Sequence, residues 1–506
     1  MWLFIFVLSV LILISGGRLV SSDEVSMYLT VESICQHGTL DIPVENAPNA
    51  TIVNGKAYTW YEAGNIVAGV PLYLVGKMAS NVLPLPESLK ALLLRTAVSL
   101  TSAFVGAFVA ILFFSLLQRL GLAVKPSISM TLALIFSTFL LWYFKMYLRE
   151  SILTLCMLGA FYFLLPALHE AKRQRSLIVA GSFVGFGILT KLVFALNAFP
   201  FLLYLLWNKE HATHRTFKDK LNDVILFSIP IVLIGCAGTG FYNYLRMGNP
   251  FDTGYTGGTS FPTPLYVGLY GLLLSPGKGL IWFAPILMFL LWAFKPYWQQ
   301  HKPEAACILG LFILNILLYS KYISWGGDGS WGPRYLAPLV PLLLIPVVVY
   351  LQRTSASIKK IAVGLIVAGC LVQAGGVSIY AGAYIREIGE FPYQKQFDDQ
   401  EFLYRTHFIP NFSPVIGHWR MLTRNIGEHV QGSYPKFQFD SQQSGKRIPL
   451  VLDDQGKLLH TLDFWFMYAL YSGVSSTIII ALFIGLMMIC GMSGFMLRQR
   501  VLFQSA

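Results

Sequence analysis

Long apolar runs recur along the chain and are separated by short polar connections. Each run has about 17–25 residues, the length at which a helix crosses the ~30 Å hydrocarbon core of a bilayer. A transmembrane β-barrel would alternate apolar and polar residues, whereas these runs are continuous. The pattern therefore predicts an all-α polytopic membrane protein.

We expect about twelve transmembrane helices. The segments lie near residues 2–20, 91–119, 127–144, 151–168, 176–190, 192–207, 222–243, 279–295, 304–320, 335–351, 359–382 and 463–490. The short fifth and sixth segments touch at Lys191 and are either two thin spans or one re-entrant pair. An apolar patch at 64–83 contains Pro71 and Lys77, which favours an interfacial helix. No basic residue precedes the first segment and no cleavage site is clear, so an uncleaved span is expected there.

Composition excludes a soluble enzyme and a disordered chain. Of the 506 residues, 55% are hydrophobic and 12% are charged, whereas soluble domains carry about 25% charged residues. The net charge of +12 could indicate nucleic acid in a soluble protein. In a membrane protein it indicates basic cytoplasmic loops, and we expect no nucleic-acid partner. The six cysteines lack metal-binding spacing and are expected to be packing residues.

Basic residues also predict the orientation and the domains. With a cytoplasmic N-terminus, short basic loops such as 169–175 lie inside. The polar segments 21–90, 244–278, 321–334 and about 383–462 then lie outside. We therefore predict a membrane module at 1–382 that includes the outer loop 21–90. An outer loop or small subdomain follows at 383–462, and the last helix and cytoplasmic tail occupy 463–506.

Charged residues gather where outer loops meet the membrane. Asp23 and Glu24 directly follow the first span, and helix capping would explain one carboxylate but not both. Lys145, Arg149 and Glu150 join the third and fourth spans, where snorkelling of their charges into water is the alternative to a site.

Two further outer loops carry unusual residues. The stretch from Trp325 to Leu336 reads WGGDGSWGPRYL, and a plain interfacial tryptophan belt is its simpler explanation. Arg246 and Lys278 stand at either end of a loop rich in turn residues, which could be an ordinary connection. Together these features predict an outward-facing pocket whose cations bind a lipid phosphate and whose carboxylates do acid–base or metal chemistry.

The order of these features resembles the GT-C superfamily of polytopic glycosyltransferases, in particular the protein mannosyltransferases and the lipid A aminoarabinose transferase. An acidic pair follows the first span, and the stretch GKAYTWYEAG at 55–64 looks like the family's Tyr/Gly-rich segment. Arg149-Glu150 opens the fourth span, and WGPRYL at 331–336 looks like a motif of bacterial members. The resemblance covers most of residues 1–350.

The resemblance implies a donor sugar on a polyprenyl or dolichyl phosphate and inversion at the anomeric carbon. Asp23 would be the general base, with Glu24 as the less favoured substitute, and Glu150 would hold the acceptor, a basic side chain or a divalent metal. No cofactor is certain, but Mg²⁺ or Mn²⁺ at Asp23 and Glu150 is left open. The implied substrate-binding residues are Lys56, Tyr58, Glu62, Lys145, Arg149, Arg246, Lys278, Asp328, Trp331, Arg334 and Tyr335.

The implied partners are the polyprenyl-phosphate sugar, a lipid, glycan or protein acceptor, and membrane lipids. The implied location is a bacterial inner membrane, with the site facing the periplasm. The main alternative is a twelve-helix secondary transporter, which would place ionisable residues near the bilayer midplane and show inverted repeats. Lys191 is the residue that could serve that alternative. A non-catalytic lipid-binding or assembly protein is a third reading.

Overall fold

The computed structural model describes residues 1–84, 87–165, 170–207, 216–256, 260–327, 329–390, 400–437 and 455–503. Helices dominate this part of the chain, and its strands β1 (Ala50–Val53) and β2 (Lys56–Thr59) form one antiparallel hairpin. The predicted all-α polytopic fold is therefore confirmed.

The N-terminal third contains eight α-helices. They are α1 (Trp2–Ile14), α2 (Ser22–His37), α3 (Ala63–Val82), α4 (Glu87–Ser99), α5 (Thr101–Arg119), α6 (Val124–Phe136), α7 (Leu140–Lys145) and α8 (Arg149–Leu164). Helix α3 coincides with the predicted interfacial helix at 64–83. The hairpin lies between α2 and α3. The predicted outer loop 21–90 therefore consists mostly of regular secondary structure.

The central part alternates α-helices with short 3₁₀ or π segments. The α-helices are α9 (Glu170–Thr190), α10 (Ala198–Trp207), α11 (Phe217–Pro230), α12 (Gly238–Met247), α13 (Leu265–Leu273), α14 (Leu280–Phe283), α15 (Leu290–Gln300), α16 (Lys302–Lys321), α17 (Val340–Arg353) and α18 (Ala356–Ser378). A π segment at Ile231–Ala237 joins α11 to α12, and 3₁₀ segments at Leu192–Asn197 and Arg334–Leu339 precede α10 and α17.

The C-terminal part begins with short helices and ends with one long helix. These are α19 (Ala381–Glu390), α20 (Gln400–Thr406), α21 (Pro414–Val430), α22 (Gln455–Leu458), α23 (Trp465–Tyr471) and α24 (Ser476–Phe503). The predicted span at 463–490 is therefore wrong in its boundaries. Gly473 has a left-handed φ of 79°, which ends α23 and separates it from α24, the helix that is long and apolar enough to span the membrane.

Six helical stretches within the described residues are long and apolar enough to cross a membrane. They are Leu89–Arg119, Phe217–Met247, Lys302–Lys321, Arg334–Arg353, Ala356–Ser378 and Ser476–Arg500. The other predicted segments are also helical but shorter or less uniformly apolar, so the number twelve stays a prediction. The stretch Arg334–Arg353 is 83% buried and lies at the centre, whereas Ser476–Arg500 is 11% buried and lies at the edge against α1.

Glu24 fixes the start of helix α2. Ser21 is the N-cap, and Glu24 completes a capping box by accepting the Ser21 amide at 2.9 Å. Its carboxylate also accepts the amides of Val20 and Tyr147, each at 2.8 Å. Burial raises the pKa of Glu24 above its ordinary value, and these hydrogen bonds oppose that rise. Glu24 therefore ties α2 to the segment before α8.

Replacing Glu24 by Ala is expected to destabilise the protein by about 1–3 kcal/mol or more, because buried amide donors lose their acceptor. The measurement is the thermal unfolding midpoint in detergent. Glu32→Ala, on the same helix, is the control, because Glu32 accepts only the Tyr28 hydroxyl at 3.0 Å among the described contacts. Equal midpoints for the two variants would contradict this role of Glu24.

Candidate active site

Arg334 joins two carboxylates that come from distant parts of the chain. Its Nε donates to Glu150 Oε1 at 2.6 Å, and a terminal nitrogen donates to Asp23 Oδ2 at 3.1 Å. Asp23 and Glu150 lie in the first turns of α2 and α8, where the helix dipole favours a negative charge. Arg334 opens the 3₁₀ segment before α17. Three helical starts therefore meet at one cluster of charges.

Asp23 is held in its ionised form. Its other oxygen, Oδ1, accepts the Tyr61 hydroxyl at 2.6 Å and the Asn49 amide at 3.3 Å. Burial acts to raise the pKa of Asp23, but the Arg334 charge and the Tyr61 hydrogen bond outweigh it, so the pKa lies below its ordinary value. The site thus presents a carboxylate whose orientation is fixed from both sides.

A second ion pair borders this cluster. Arg149 donates to Glu62 Oε2 at 2.7 Å, and the guanidinium lies 4.7 Å from the centre of the Tyr61 ring. The other oxygen of Glu62 accepts the Leu192 amide at 3.0 Å. Arg149 and Glu62 therefore link the first outer loop to the start of α8 and to the connection between α9 and α10.

Lys191 is a site residue that sequence reasoning did not include. Its ammonium lies 4.6 Å from the centre of the Tyr335 ring and 5.1 Å from that of Tyr319, and the two rings stack with centroids 4.3 Å apart. In the described part of the chain it has no carboxylate within 4.0 Å. In the sequence, Lys191 stands out as a single basic residue between two apolar segments. That position fits a transporter as well as it fits a glycosyltransferase site.

A narrow cavity lies between these groups. Its lining includes Glu150, Lys191, Asn197, Arg334 and Tyr335. The Oε2 atom of Glu150 is buried and has no hydrogen-bond partner among the described residues, and a buried unpaired oxygen of this kind indicates a ligand or water. The cavity therefore offers one open acceptor beside a cation.

An apolar groove of about 680 Å³ runs beside this cavity, between α10 and α16. Leu196 and Leu318 line the groove, and their neighbours Asn197 and Tyr319 line the cavity. Lys321 lies at the end of α16 where the groove meets the outer loops. The groove and the polar cavity are therefore lined by the same two stretches, the segment before α10 and helix α16, with no lining residue in common.

Several predicted residues lie away from the cluster. Lys56 is exposed and pairs with Asp41 at 3.4 Å, and Tyr58 lies in β2 opposite Thr51. Arg246 donates to the Thr59 carbonyl and so supports the hairpin.

Two contacts hold the Gly/Trp loop, the stretch from Trp325 to Leu336. Lys278 donates to the Ser330 carbonyl at 2.5 Å, and Trp331 is buried, with its indole N–H on Gln373 Oε1 at 2.9 Å. Asp328 lies outside the described residues. Trp331 and Lys278 thus fix the position of the loop that contains Arg334.

Lys145 belongs to a separate buried cluster around Asp463. Lys145 Nζ lies 2.7 Å from Asp463 Oδ2, and Arg18 lies 3.0 Å from Oδ1, where the Tyr468 hydroxyl also donates. Burial acts to raise the pKa of Asp463, but Lys145 and Arg18 lower it to about 2. This cluster connects the C-terminal segment to the chain just before α2 and to the end of α7.

The geometry does not fit a divalent ion held by Asp23 and Glu150. The Arg334 guanidinium lies between the two carboxylates and occupies one oxygen of each. Within the described residues, no group of three or more potential metal ligands occurs. Of the three partners expected for Glu150, the structure shows a basic side chain, that of Arg334.

Comparisons with known proteins agree with this architecture. A family model described as dolichyl-phosphate-mannose-protein mannosyltransferase matches residues 92–235. The structure of ArnT from Cupriavidus metallidurans bound to undecaprenyl phosphate aligns with a TM-score of 0.50 at 15% identity, covering 90% of this chain and 82% of that one. The chain has a GT-C fold.

Two other solved structures are similar at lower scores. Apo ArnT from the same organism has a TM-score of 0.48 at 16% identity, again with 90% and 82% coverage. The Archaeoglobus fulgidus oligosaccharyltransferase has a TM-score of 0.44 at 10% identity, with 79% and 60% coverage. No curated protein matches the sequence. The expected resemblance to GT-C glycosyltransferases is confirmed at the level of the fold.

Replacing Asp463 by Asn is expected to cost about 3–5 kcal/mol of stability, because the buried charges of Lys145 and Arg18 lose their partner. The unfolding midpoint in detergent measures this loss, and Asp41→Asn, in an exposed pair, is the matched control. Adding Lys145→Met to Asp463→Asn should recover part of the loss by removing one unpaired charge. A double variant less stable than Asp463→Asn would contradict this account.

Proposed function

We propose that this protein transfers a sugar from a polyprenyl-phosphate donor to an acceptor on the outer side of a bacterial inner membrane, with inversion and with Asp23 as general base. The observation that carries the proposal is an ionised, partly exposed carboxylate that pairs with Arg334, within a cluster of cations beside an apolar groove. The matching family model, which names a dolichyl-phosphate sugar, and the fold shared with a structure of ArnT bound to undecaprenyl phosphate support it.

The donor fits the groove and cavity as two chemically different halves. The polyprenyl tail would lie in the apolar groove between α10 and α16, and its phosphate would lie towards the cavity that the segment before α10 and helix α16 also line. Lys191 and Arg334 supply positive charge there, and the Lys191 ammonium makes a cation–π contact with the Tyr335 ring. The unpaired Glu150 Oε2 would accept a hydrogen bond from a sugar hydroxyl.

Asp23 would act on the acceptor. Its carboxylate takes the proton of the attacking hydroxyl or amine while the nucleophile forms a bond to the anomeric carbon. The bond from that carbon to the phosphate oxygen breaks with its electron pair, and polyprenyl phosphate leaves on the opposite face, which inverts the centre. Arg334 and Lys191 stabilise the charge that develops on the phosphate. A lipid, glycan or protein nucleophile is compatible with this chemistry.

The position of the charges does not favour a transporter. Arg149 opens α8, Arg334 opens the segment before α17, and Lys191 directly follows α9. Arg334 begins the candidate span Arg334–Arg353, and the Tyr319 and Tyr335 rings beside Lys191 lie at the ends of candidate spans. These cations are therefore expected near the outer surface and not near the bilayer midplane, where transporters bind their substrates. Sodium- or proton-driven uptake that depends on Lys191 would support the transporter instead.

Asp23→Asn is expected to lower kcat by about 10²–10⁴-fold, because a positioned general base contributes that much. Membranes containing the protein are incubated with a panel of radiolabelled polyprenyl-phosphate sugars, and the labelled product is identified. Asp41→Asn, the same substitution at a partly exposed position outside the cluster, should transfer at the wild-type rate. Undiminished transfer by Asp23→Asn would overturn the assignment of the base.

The low pKa of Asp23 gives a pH dependence of defined sign. Because the pKa is lowered, the carboxylate stays ionised above the ordinary Asp value of about 3.9. We expect kcat/KM for transfer to be flat from about pH 5 to 7 and to fall only at more acidic pH. An acid limb near pH 6 that disappears in Asp23→Asn would contradict the predicted ionisation.

Gly310→Phe is expected to raise KM for long-chain donors more than for short-chain donors. Gly310 lines the groove, and a Cβ there would lie 3.5 Å from Pro200 Cβ, so a benzyl group would extend across the tail site. The control is Gly364→Phe on α18, where a Cβ meets no atom within 4 Å. Equal changes in KM for long-chain and short-chain donors would contradict the assignment of the groove to the donor's tail.

A further inference from the structure

Helix α21 exposes an apolar stripe along its length. Ile416, Trp419, Ile426 and Val430 recur at helical spacing, and their exposed fractions are 62%, 36%, 47% and 82%. Spacings of three, four and seven residues place side chains on one side of a helix. The described part of the chain leaves this stripe uncovered.

The other two sides of α21 have different chemistry. Arg420 and Arg424 follow the charged side and both pair with Glu387, at 3.1 and 2.8 Å. The buried side includes His418, whose ring lies 4.5 Å from that of Trp331. Helix α21 thus separates an apolar stripe, a charged side and a side that packs on the Gly/Trp loop.

The apolar stripe continues the lipid-facing surface of α18. The Trp419 indole donates to the Leu371 carbonyl at 3.1 Å. Leu371, Val367 and Val363 are each more than half exposed on a helix long and apolar enough to span the bilayer. The basic residues Lys359 and Lys360 stand at the other end of α18, so Trp419 meets the half that leads to the outer surface.

We propose that α21 lies along the outer surface of the bilayer, with its apolar stripe among the upper acyl chains and Arg420 and Arg424 towards water. The partner is the boundary between headgroups and acyl chains. Amphipathic helices occupy this boundary with their apolar side buried, and tryptophan is enriched there. The proposal gives the segment 383–462 a membrane-binding element next to the Trp331 loop, independent of which reaction the protein performs.

The test uses the full chain in nanodiscs made of equal parts phosphatidylcholine and phosphatidylglycerol. Single cysteines carrying an environment-sensitive NBD label replace Ile416, Val430, Arg420 or Glu401, in a background without the six native cysteines. The exposed Glu401 on α20 is the aqueous reference. Each label is quenched by a lipid-borne nitroxide and, separately, by aqueous iodide. Elution as a single wild-type peak confirms that each variant is folded.

Labels at Ile416 and Val430 are expected to be quenched at least about twofold more by the lipid nitroxide than the labels at Arg420 and Glu401, and less by iodide. Iodide quenching at Val430 equal to that at Glu401 would overturn the proposal, because the stripe would then face water. Protection from both quenchers at Ile416 and Val430 would also overturn it, because protein and not lipid would then cover the stripe. Both quencher series are read without any assay of sugar transfer.

Discussion

The arginine that bridges Asp23 and Glu150 organises the functional end of the molecule. Arg334 pairs with two carboxylates that would otherwise repel each other, the buried Glu150 and the partly exposed Asp23, and each carboxylate lies in the first turn of a different helix. Leaving Glu150 buried without Arg334 would be strongly unfavourable, so the contact favours packing of α2, α8 and the segment before α17 against one another. The same positive charge keeps Asp23 ionised. The stability of this corner and the chemistry proposed for it depend on one guanidinium.

Around that centre, the two adjacent acidic residues have separate environments. Glu24 accepts backbone amides and secures a helix start, whereas Asp23 accepts side-chain donors beside the cavity. The spacing of Ser21 and Glu24 fits a capping box, so the structural contact of Glu24 was readable from the sequence. The capping argument left one carboxylate unexplained, and the structure identifies it as Asp23. The role of Glu24 in catalysis stays a prediction.

The helical membrane fold could be predicted because the length of each apolar run is a local property of the sequence. Which loop charges meet could not be predicted, because these contacts depend on packing between distant segments. Arg334 reaches Asp23 across 311 positions, and Lys145 reaches the Asp463 carbonyl across 318. Lys145 and Arg149 lie four positions apart but belong to different ion-pair clusters. The last span was misplaced for a local reason, since Gly473 interrupts an apolar stretch that hydropathy treats as continuous.

The groove between α10 and α16 has a consequence for how a lipid substrate would be found. The apolar side chains of Phe199 and Leu203 on its wall are 62% and 48% exposed. A donor whose polyprenyl tail occupies this groove, as proposed, would enter it from the side without leaving the bilayer. Its encounter with the protein is then a search in two dimensions. The rate of capture would follow the number of donor molecules per unit area of membrane, and the volume of the surrounding water would not matter.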